Sequence, residues 1–182
     1  PHRRVKRVLP FVCFVALVSL ASVVALAQIP TDAWPTYHGD YTGRRFSTLK
    51  QINTTNVKNL TLAWVYRLNT SRAGAIVGGE GPETPPPGGN TPSVKSTPLM
   101  LNGILYFSVP DHVYALDVRT GREIWHYAWK TRGGDHIGNR GVGILGNWLY
   151  FLTPDNYFVS LDVATGKERW HHEIANMKRE YF

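Results

Sequence analysis

Cysteine is nearly absent from this chain, which has one in 182 residues, Cys13. A single cysteine excludes an intramolecular disulfide, a zinc site built from cysteines and a covalently attached c-type haem within this stretch. The phosphate-binding loop, the Gly-x-Ser-x-Gly nucleophile motif and the His-Glu-x-x-His metal motif are absent as well. Chemistry that depends on these motifs is therefore not expected here, and the residues between 1 and 182 predict no metal site of their own.

Acidic residues are outnumbered by basic residues, with 13 Asp and Glu against 20 Lys and Arg, which gives a net charge of +7. Four of the bases fall in residues 1–27, which contain no acid, so residues 28–182 carry 16 bases against 13 acids, a net charge of +3. No basic stripe interleaved with aromatic residues remains, and a nucleic-acid partner is not expected.

Residues 1–27 are typical of an export signal. A basic start is followed by an apolar run from Val8 and by the small-residue sequence Ala25-Leu26-Ala27, after which we expect cleavage. The alternative is an uncleaved anchor, because a run of about twenty apolar residues at about 1.5 Å per residue can span a bilayer. The protein is thus predicted to be periplasmic, with membrane contact only through an uncleaved leader.

An eleven-residue phrase occurs twice. "ALDVRTGREIW" (115–125) returns as "SLDVATGKERW" (160–170), 45 positions later. Upstream of the phrase the copies align with an offset of 44, so the second copy has one extra residue after Pro154-Asp155. Each copy has three turn signals, which in the first are Asn102-Gly103, Pro110-Asp111 and Asp-x-x-Thr-Gly. Three turns between short apolar segments predict four antiparallel strands per repeat, which is the unit of an all-β propeller.

Both phrases end in tryptophan. We expect Trp125 and Trp170 to lie flat between adjacent blades, each burying roughly 150–250 Å², with Gly121 and Gly166 supplying the positive φ of the turns. A weaker unit ends in Trp64 and is interpreted as the last strand of a blade closed elsewhere.

Residues 28–182 are therefore predicted to be the N-terminal part of a propeller, about two and a half blades, with a Pro/Gly-rich loop at 70–96. Closed propellers need about four to eight blades. The chain also begins with Pro1 and stops at Phe182 without a terminating pattern, so we expect a fragment of a longer protein.

Two segments resemble a known family. "WPTYHGDYTGRRFSTLKQINTTNVKNLTLAW" (34–64) and "NRGVGILGNWLYF" (139–151), with the two tryptophan phrases, are similar to the start of the quinoprotein alcohol dehydrogenases, eight-bladed propellers that use pyrroloquinoline quinone (PQQ). The resemblance implies oxidation of an alcohol or sugar by hydride transfer to PQQ, with Ca²⁺ as a Lewis acid and a periplasmic cytochrome or quinone as electron acceptor. It places the Ca²⁺ ligands beyond residue 182.

Arg140 is the candidate catalytic and cofactor-binding residue. The resemblance places it at the arginine that steadies negative charge on the quinone oxygens, in an Arg-Gly step that opens an inner strand. The repeat offset independently places it over Ser96, at the start of a strand lining the axis. A guanidinium suits a planar quinone with carboxylates because it offers a flat fork of donors. The alternative is an arginine paired with a carboxylate at the blade edge.

Lys95 is the second cofactor-binding candidate. It stands where relatives tend to have a glutamate, and because PQQ carries three carboxylates, a lysine there could bind it as a point charge. The alternative is a solvated loop lysine. Gly134 and Asp135 stand where many relatives have adjacent cysteines, so no disulfide over the cofactor can form. These departures keep open a different function, a cofactor-free propeller that serves as a binding or assembly scaffold.

Overall fold

The computed structural model describes residues 33–68, 94–131 and 140–176, and their regular structure is almost entirely β. Within these three ranges, eight strands form two four-stranded antiparallel sheets, each with its strands side by side in chain order. The first sheet contains β1 (Leu99–Leu101), β2 (Ile104–Val109), β3 (His112–Asp117) and β4 (Glu123–Ala128); the second contains β5 (Gly143–Leu145), β6 (Trp148–Leu152), β7 (Tyr157–Asp162) and β8 (Glu168–Glu173). A short 3-10 helix, Val57–Asn59, precedes them. The predicted four-stranded antiparallel blades are confirmed.

The two sheets follow the predicted repeat residue by residue. β5 and β6 begin 44 residues after β1 and β2, whereas β7 and β8 begin 45 residues after β3 and β4. The change of offset falls in the turn between β6 and β7, where Asn156 has a φ of 64°. Asparagine tolerates this left-handed conformation better than most residues, so one extra residue can be inserted in the turn without disturbing either strand.

The Asp-x-x-Thr-Gly turns are closed by the aspartate. Oδ1 of Asp162 accepts hydrogen bonds from the backbone N–H of Ala164 at 3.1 Å and of Thr165 at 2.9 Å, and from the Thr165 hydroxyl at 2.7 Å. These bonds, led by that of the Thr165 side chain, lower the pKa of Asp162 because they favour the ionised carboxylate. Asp117 makes the matching bonds in the first sheet.

The Trp125 indole is packed on the turn of the following sheet. Its Nε1 donates a hydrogen bond to the Val163 carbonyl at 3.1 Å, and its ring lies so close to Gly166 that an added Cβ would be 2.5 Å from a ring carbon. Gly166 has a φ of +68°. Glycine is thus required twice over, by the left-handed backbone and by the indole. The predicted docking of Trp125 between blades is confirmed.

Trp64 makes the same contact one step earlier in the chain. Its Nε1 donates to the Val118 carbonyl at 3.0 Å, and a Cβ on Gly121 would lie 2.5 Å from its ring. The segment 60–68 therefore lies against the first sheet as β4 lies against the second. This arrangement agrees with its interpretation as the outer strand of a further blade.

Two apolar clusters cover opposite faces of the first sheet. The larger joins the two sheets and consists of Tyr106, Val113, Ala115, Trp125, Trp129, Leu149, Phe151, Val159 and Leu161. The smaller consists of Phe107, Val109, Tyr114 and Leu116, with Trp64, Tyr66 and Leu68 packed against it. Side chains alternate between the faces because neighbouring residues of a strand point in opposite directions. A sheet covered on both faces by its neighbours is the expected packing of a propeller blade.

A second contact between units accompanies the indole. The Tyr127 hydroxyl donates a hydrogen bond to a carboxylate oxygen of Glu168 in the next sheet, and Tyr66 makes the equivalent bond to Glu123. Burial raises the pKa of Tyr127, and the nearby carboxylate raises it further. Burial alone would raise the pKa of Glu168, but hydrogen bonds with Tyr127 and His171 outweigh it and lower the pKa.

The predicted leader, residues 1–27, and most of the predicted loop, 70–96, lie outside the described residues, so both remain predictions. Among the residues that the structure describes, no helix is long and apolar enough to cross a membrane.

Candidate functional site

The innermost strands of the two sheets, β1 and β5, begin close together. The backbone N–H of Thr97 donates a hydrogen bond to the carbonyl of Arg140 at 3.0 Å, just before each strand starts. Ser96 also contacts its own sheet, where its hydroxyl accepts a bond from the Ser108 N–H at 3.2 Å. We call this region, residues 95–97 together with 140 and 141, the Arg140 edge. The repeat alignment matches Arg140 with Ser96 of the preceding copy, and the structure brings both residues to this edge.

Gly141 permits the close approach of the two strands. Its φ is 140°, and a Cβ at this position would lie 3.2 Å from the Thr97 carbonyl oxygen. A side chain here would require both an unfavourable backbone conformation and a shift of the neighbouring backbone. The glycine of the Arg-Gly step therefore brings the arginine up against the adjacent blade.

Arg140 and Lys95 are both at this edge. Arg140 is exposed and Lys95 is half-buried, two residues before Thr97. The described part of the chain contains no salt bridge between either cation and a carboxylate. The alternative of a carboxylate-paired arginine thus finds no partner among these residues, while the assignment of either cation to a cofactor remains a prediction.

Tyr37 and Arg45 join the same edge, which the sequence reasoning missed. Hydrogen bonds with Arg45 and then with the Thr97 side chain lower the pKa of Tyr37, and the charges of Arg45 and Arg140 lower it further. The guanidinium carbon of Arg45 lies 4.7 Å from the centroid of the Tyr37 ring. Both residues belong to the segment on which the family resemblance rests, but nothing in the sequence indicated that this segment returns to β1.

A buried carboxylate lies at the same end of the second sheet. Asp155, in the turn between β6 and β7, accepts hydrogen bonds from Trp129 Nε1 at 2.7 Å and from the Thr153 hydroxyl at 2.6 Å, and it is 1% exposed. Trp129 follows β4, so this bond fixes the start of the connection between the two sheets. In the sequence, Pro154-Asp155 indicates only a turn, and nothing there predicts that the carboxylate is buried.

The comparisons with known proteins agree with this geometry. Residues 34–147 match the PQQ family described as glucose/ethanol/alcohol dehydrogenase, β-propeller domain. The chain belongs to this family. The match begins at Trp34 and includes both Lys95 and Arg140, and therefore the whole Arg140 edge.

The relatives within this PQQ family are much longer. The chain is 36% identical to the quinohemoprotein alcohol dehydrogenase of Comamonas testosteroni, in a match that covers 63% of this chain and 14% of that protein. It is 34% identical to the quinoprotein glucose dehydrogenase of Escherichia coli (strain K12), in a match that covers 65% of this chain and 14% of that protein. The solved structure of the Comamonas protein is similar to this chain with a TM-score of 0.63 and 35% sequence identity. The similarity covers 81% of this chain and 20% of the Comamonas chain. The chain thus spans between about a seventh and a fifth of the length of these relatives.

The Arg140 edge fits the family's cofactor in charge and access. PQQ has three carboxylates on a planar ring system, and the edge presents a guanidinium and an ammonium without a paired carboxylate among the described residues. Gly134 and Asp135, at the positions of the family's cysteine pair, lie outside the described residues. Residues 33–68, 94–131 and 140–176 contain no group of three or more potential metal ligands.

Proposed function

We propose that this chain is the N-terminal part of a periplasmic PQQ-dependent dehydrogenase that oxidises the CH–OH group of an alcohol or a sugar. One observation carries the proposal: Arg140, inside the matched segment, lies at the start of an innermost strand beside the preceding blade and makes no described ion pair. An exposed cation that pairs with no carboxylate of the described residues, at the start of an innermost strand, is suited to an anionic ligand.

Arg140 and Lys95 would have different tasks at the cofactor. The guanidinium of Arg140 would donate hydrogen bonds to the oxygens of the planar quinone, stabilising negative charge there without giving up a proton. The ammonium of Lys95 would neutralise a carboxylate of the cofactor as a point charge. PQQ, when bound, supplies the carbonyl that accepts hydride from the substrate, and Ca²⁺, held by residues beyond Phe182, supplies a Lewis acid.

Substrate and acceptor are proposed at the level of chemical class. The names of the two relatives include an alcohol and glucose, which supports a small alcohol or sugar as substrate. Export by the leader would place the enzyme where a periplasmic cytochrome or a membrane quinone can accept its electrons. The second candidate, a cofactor-free scaffold, is favoured by Lys95 because a cation replaces the family's glutamate at that position.

The test is activity of the full-length protein that contains this segment, reconstituted with PQQ and Ca²⁺. We expect reduction of an artificial electron acceptor that depends on PQQ and on an added primary alcohol or glucose. Arg140→Ala should lose most of this activity. Arg119→Ala is the matched control, since Arg119 lies in the Asp117 turn at the opposite end of the blade, and it should retain activity. Failure of the wild-type protein to bind PQQ would favour the scaffold, and full activity of Arg140→Ala would reject the role of Arg140.

A further inference from the structure

The segment 34–45, which we call the N-terminal strap, lies along the free edge of β1. Trp34 and Met100 exchange two backbone hydrogen bonds, of 2.6 and 2.9 Å, in an antiparallel bridge. The strap then folds back on Trp34, because a Cβ added to Gly39 would lie 2.9 Å from the indole ring. β1 is the innermost strand of its sheet, so the strap occupies the hub side of the blade.

The far end of the strap is held in an unusual conformation. Arg45 has a φ of 52°, in the left-handed region that a residue with a long side chain rarely adopts. Its Nε donates a hydrogen bond to Nδ1 of His38 at 2.9 Å, and its guanidinium lies over the Tyr37 ring. A backbone in this conformation persists where surrounding contacts enforce it, and such positions are concentrated at functional sites.

Tyr37 connects the strap to the Arg140 edge. The bridge between Trp34 and Met100 holds the strap alongside the start of β1, and interactions with Arg45 and then with the Thr97 side chain lower the pKa of the Tyr37 hydroxyl. The N–H of Thr97 in turn donates a hydrogen bond to the Arg140 carbonyl, and Gly141 is packed against the Thr97 backbone. A continuous set of contacts therefore leads from Arg45 through Tyr37 and Thr97 to the peptide of Arg140.

We propose that Tyr37 and Arg45 are positioning residues for Arg140, so that the N-terminal strap fixes the cofactor-facing guanidinium against the adjacent blade. The proposal rests on the proposed function, because it assumes that Arg140 meets PQQ. Two effects act together in it. The contacts through Thr97 hold the backbone of Arg140, and the charge of Arg45 adds to the positive potential that an anionic cofactor encounters at this edge.

The experiment is a titration of PQQ into the full-length protein, with binding followed by quenching of tryptophan fluorescence. Tyr37→Phe keeps the ring and removes the hydroxyl, while Thr97→Val removes the other partner of the same bond. Loss of one hydrogen bond that supports a charged group is expected to weaken PQQ binding by roughly three- to tenfold in each variant. Tyr41→Phe is the control, since Tyr41 belongs to the strap but is 97% exposed, and it should bind like the wild type.

A double-mutant cycle distinguishes positioning from a general effect on folding. In the Arg140→Ala background, Tyr37→Phe should cause no further loss of PQQ affinity, because the residue that it positions is gone. Additive losses, or Tyr37→Phe and Thr97→Val variants that bind PQQ as tightly as Tyr41→Phe, would overturn the inference while leaving the proposed function intact. A wild-type protein that does not bind PQQ would overturn both.

Discussion

Substitution of Gly166 by alanine tests the indole docking that joins the two sheets. The alanine would have to adopt a φ near +68°, which costs about 1–2 kcal/mol for an L-residue. Its Cβ would also lie 2.5 Å from the Trp125 ring, and relief of such overpacking typically costs about 1–3 kcal/mol. We expect Gly166→Ala to lower the free energy of unfolding of the full-length protein by roughly 2–5 kcal/mol in urea denaturation.

Gly146→Ala is the matched control for this prediction. Gly146 has a φ of +59°, similar to that of Gly166, but no atom lies within 4 Å of the position of its Cβ. Its substitution should therefore show the backbone cost without the steric cost, and the difference between the two variants isolates the contact with the indole. Equal destabilisation by Gly166→Ala and Gly146→Ala would refute the argument that Trp125 needs glycine beneath it.

Two further predictions concern carboxylates. Asp155→Ala should lower the free energy of unfolding by about 1–3 kcal/mol, because it leaves the buried Trp129 N–H without its acceptor. Asp155→Asn keeps an oxygen that can accept this bond, so it should lower the free energy of unfolding by less. Calorimetry of both variants measures the difference. The folded-state pKa of Asp162 lies below its ordinary value of 3.8, so its stabilisation is present above that pH and is lost as the pH falls through the lowered pKa. Asp162→Asn should therefore weaken the acid dependence of stability below about pH 4, and a melting temperature that depends on pH as in the wild type would contradict this.

Most of the architecture was predictable because it is repeated. Turn residues at matching positions indicated four strands per copy, and the tryptophan four residues after each turn glycine indicated how units pack. The bond between Tyr127 and Glu168 was missed, although its signal was present. Tyr66 and Tyr127 each follow a docking tryptophan by two residues, and Glu123 and Glu168 each follow a turn glycine by two.

The candidate site was only partly predictable. The repeat offset placed Arg140 over Ser96, and the structure brings these segments together at the Arg140 edge. The contribution of Tyr37 and Arg45 could not be inferred, because it depends on the backbone bridge between Trp34 and Met100, which joins distant parts of the chain without a periodic pattern. The periodicity of the sequence indicates contacts within and between the repeats. A segment outside the repeat, such as the N-terminal strap, has no periodic pattern from which its contacts could be predicted.

The most direct test of the central claim is the affinity of the full-length protein for PQQ with and without the Arg140 guanidinium. Hydrogen bonds to charged groups contribute about 1.5–3 kcal/mol, so Arg140→Ala should weaken binding by roughly ten- to 150-fold. Arg140→Lys, which keeps the charge but not the flat fork of donors, should fall between Arg140→Ala and the wild type. PQQ bound equally tightly by all three proteins would contradict the placement of the cofactor at the Arg140 edge.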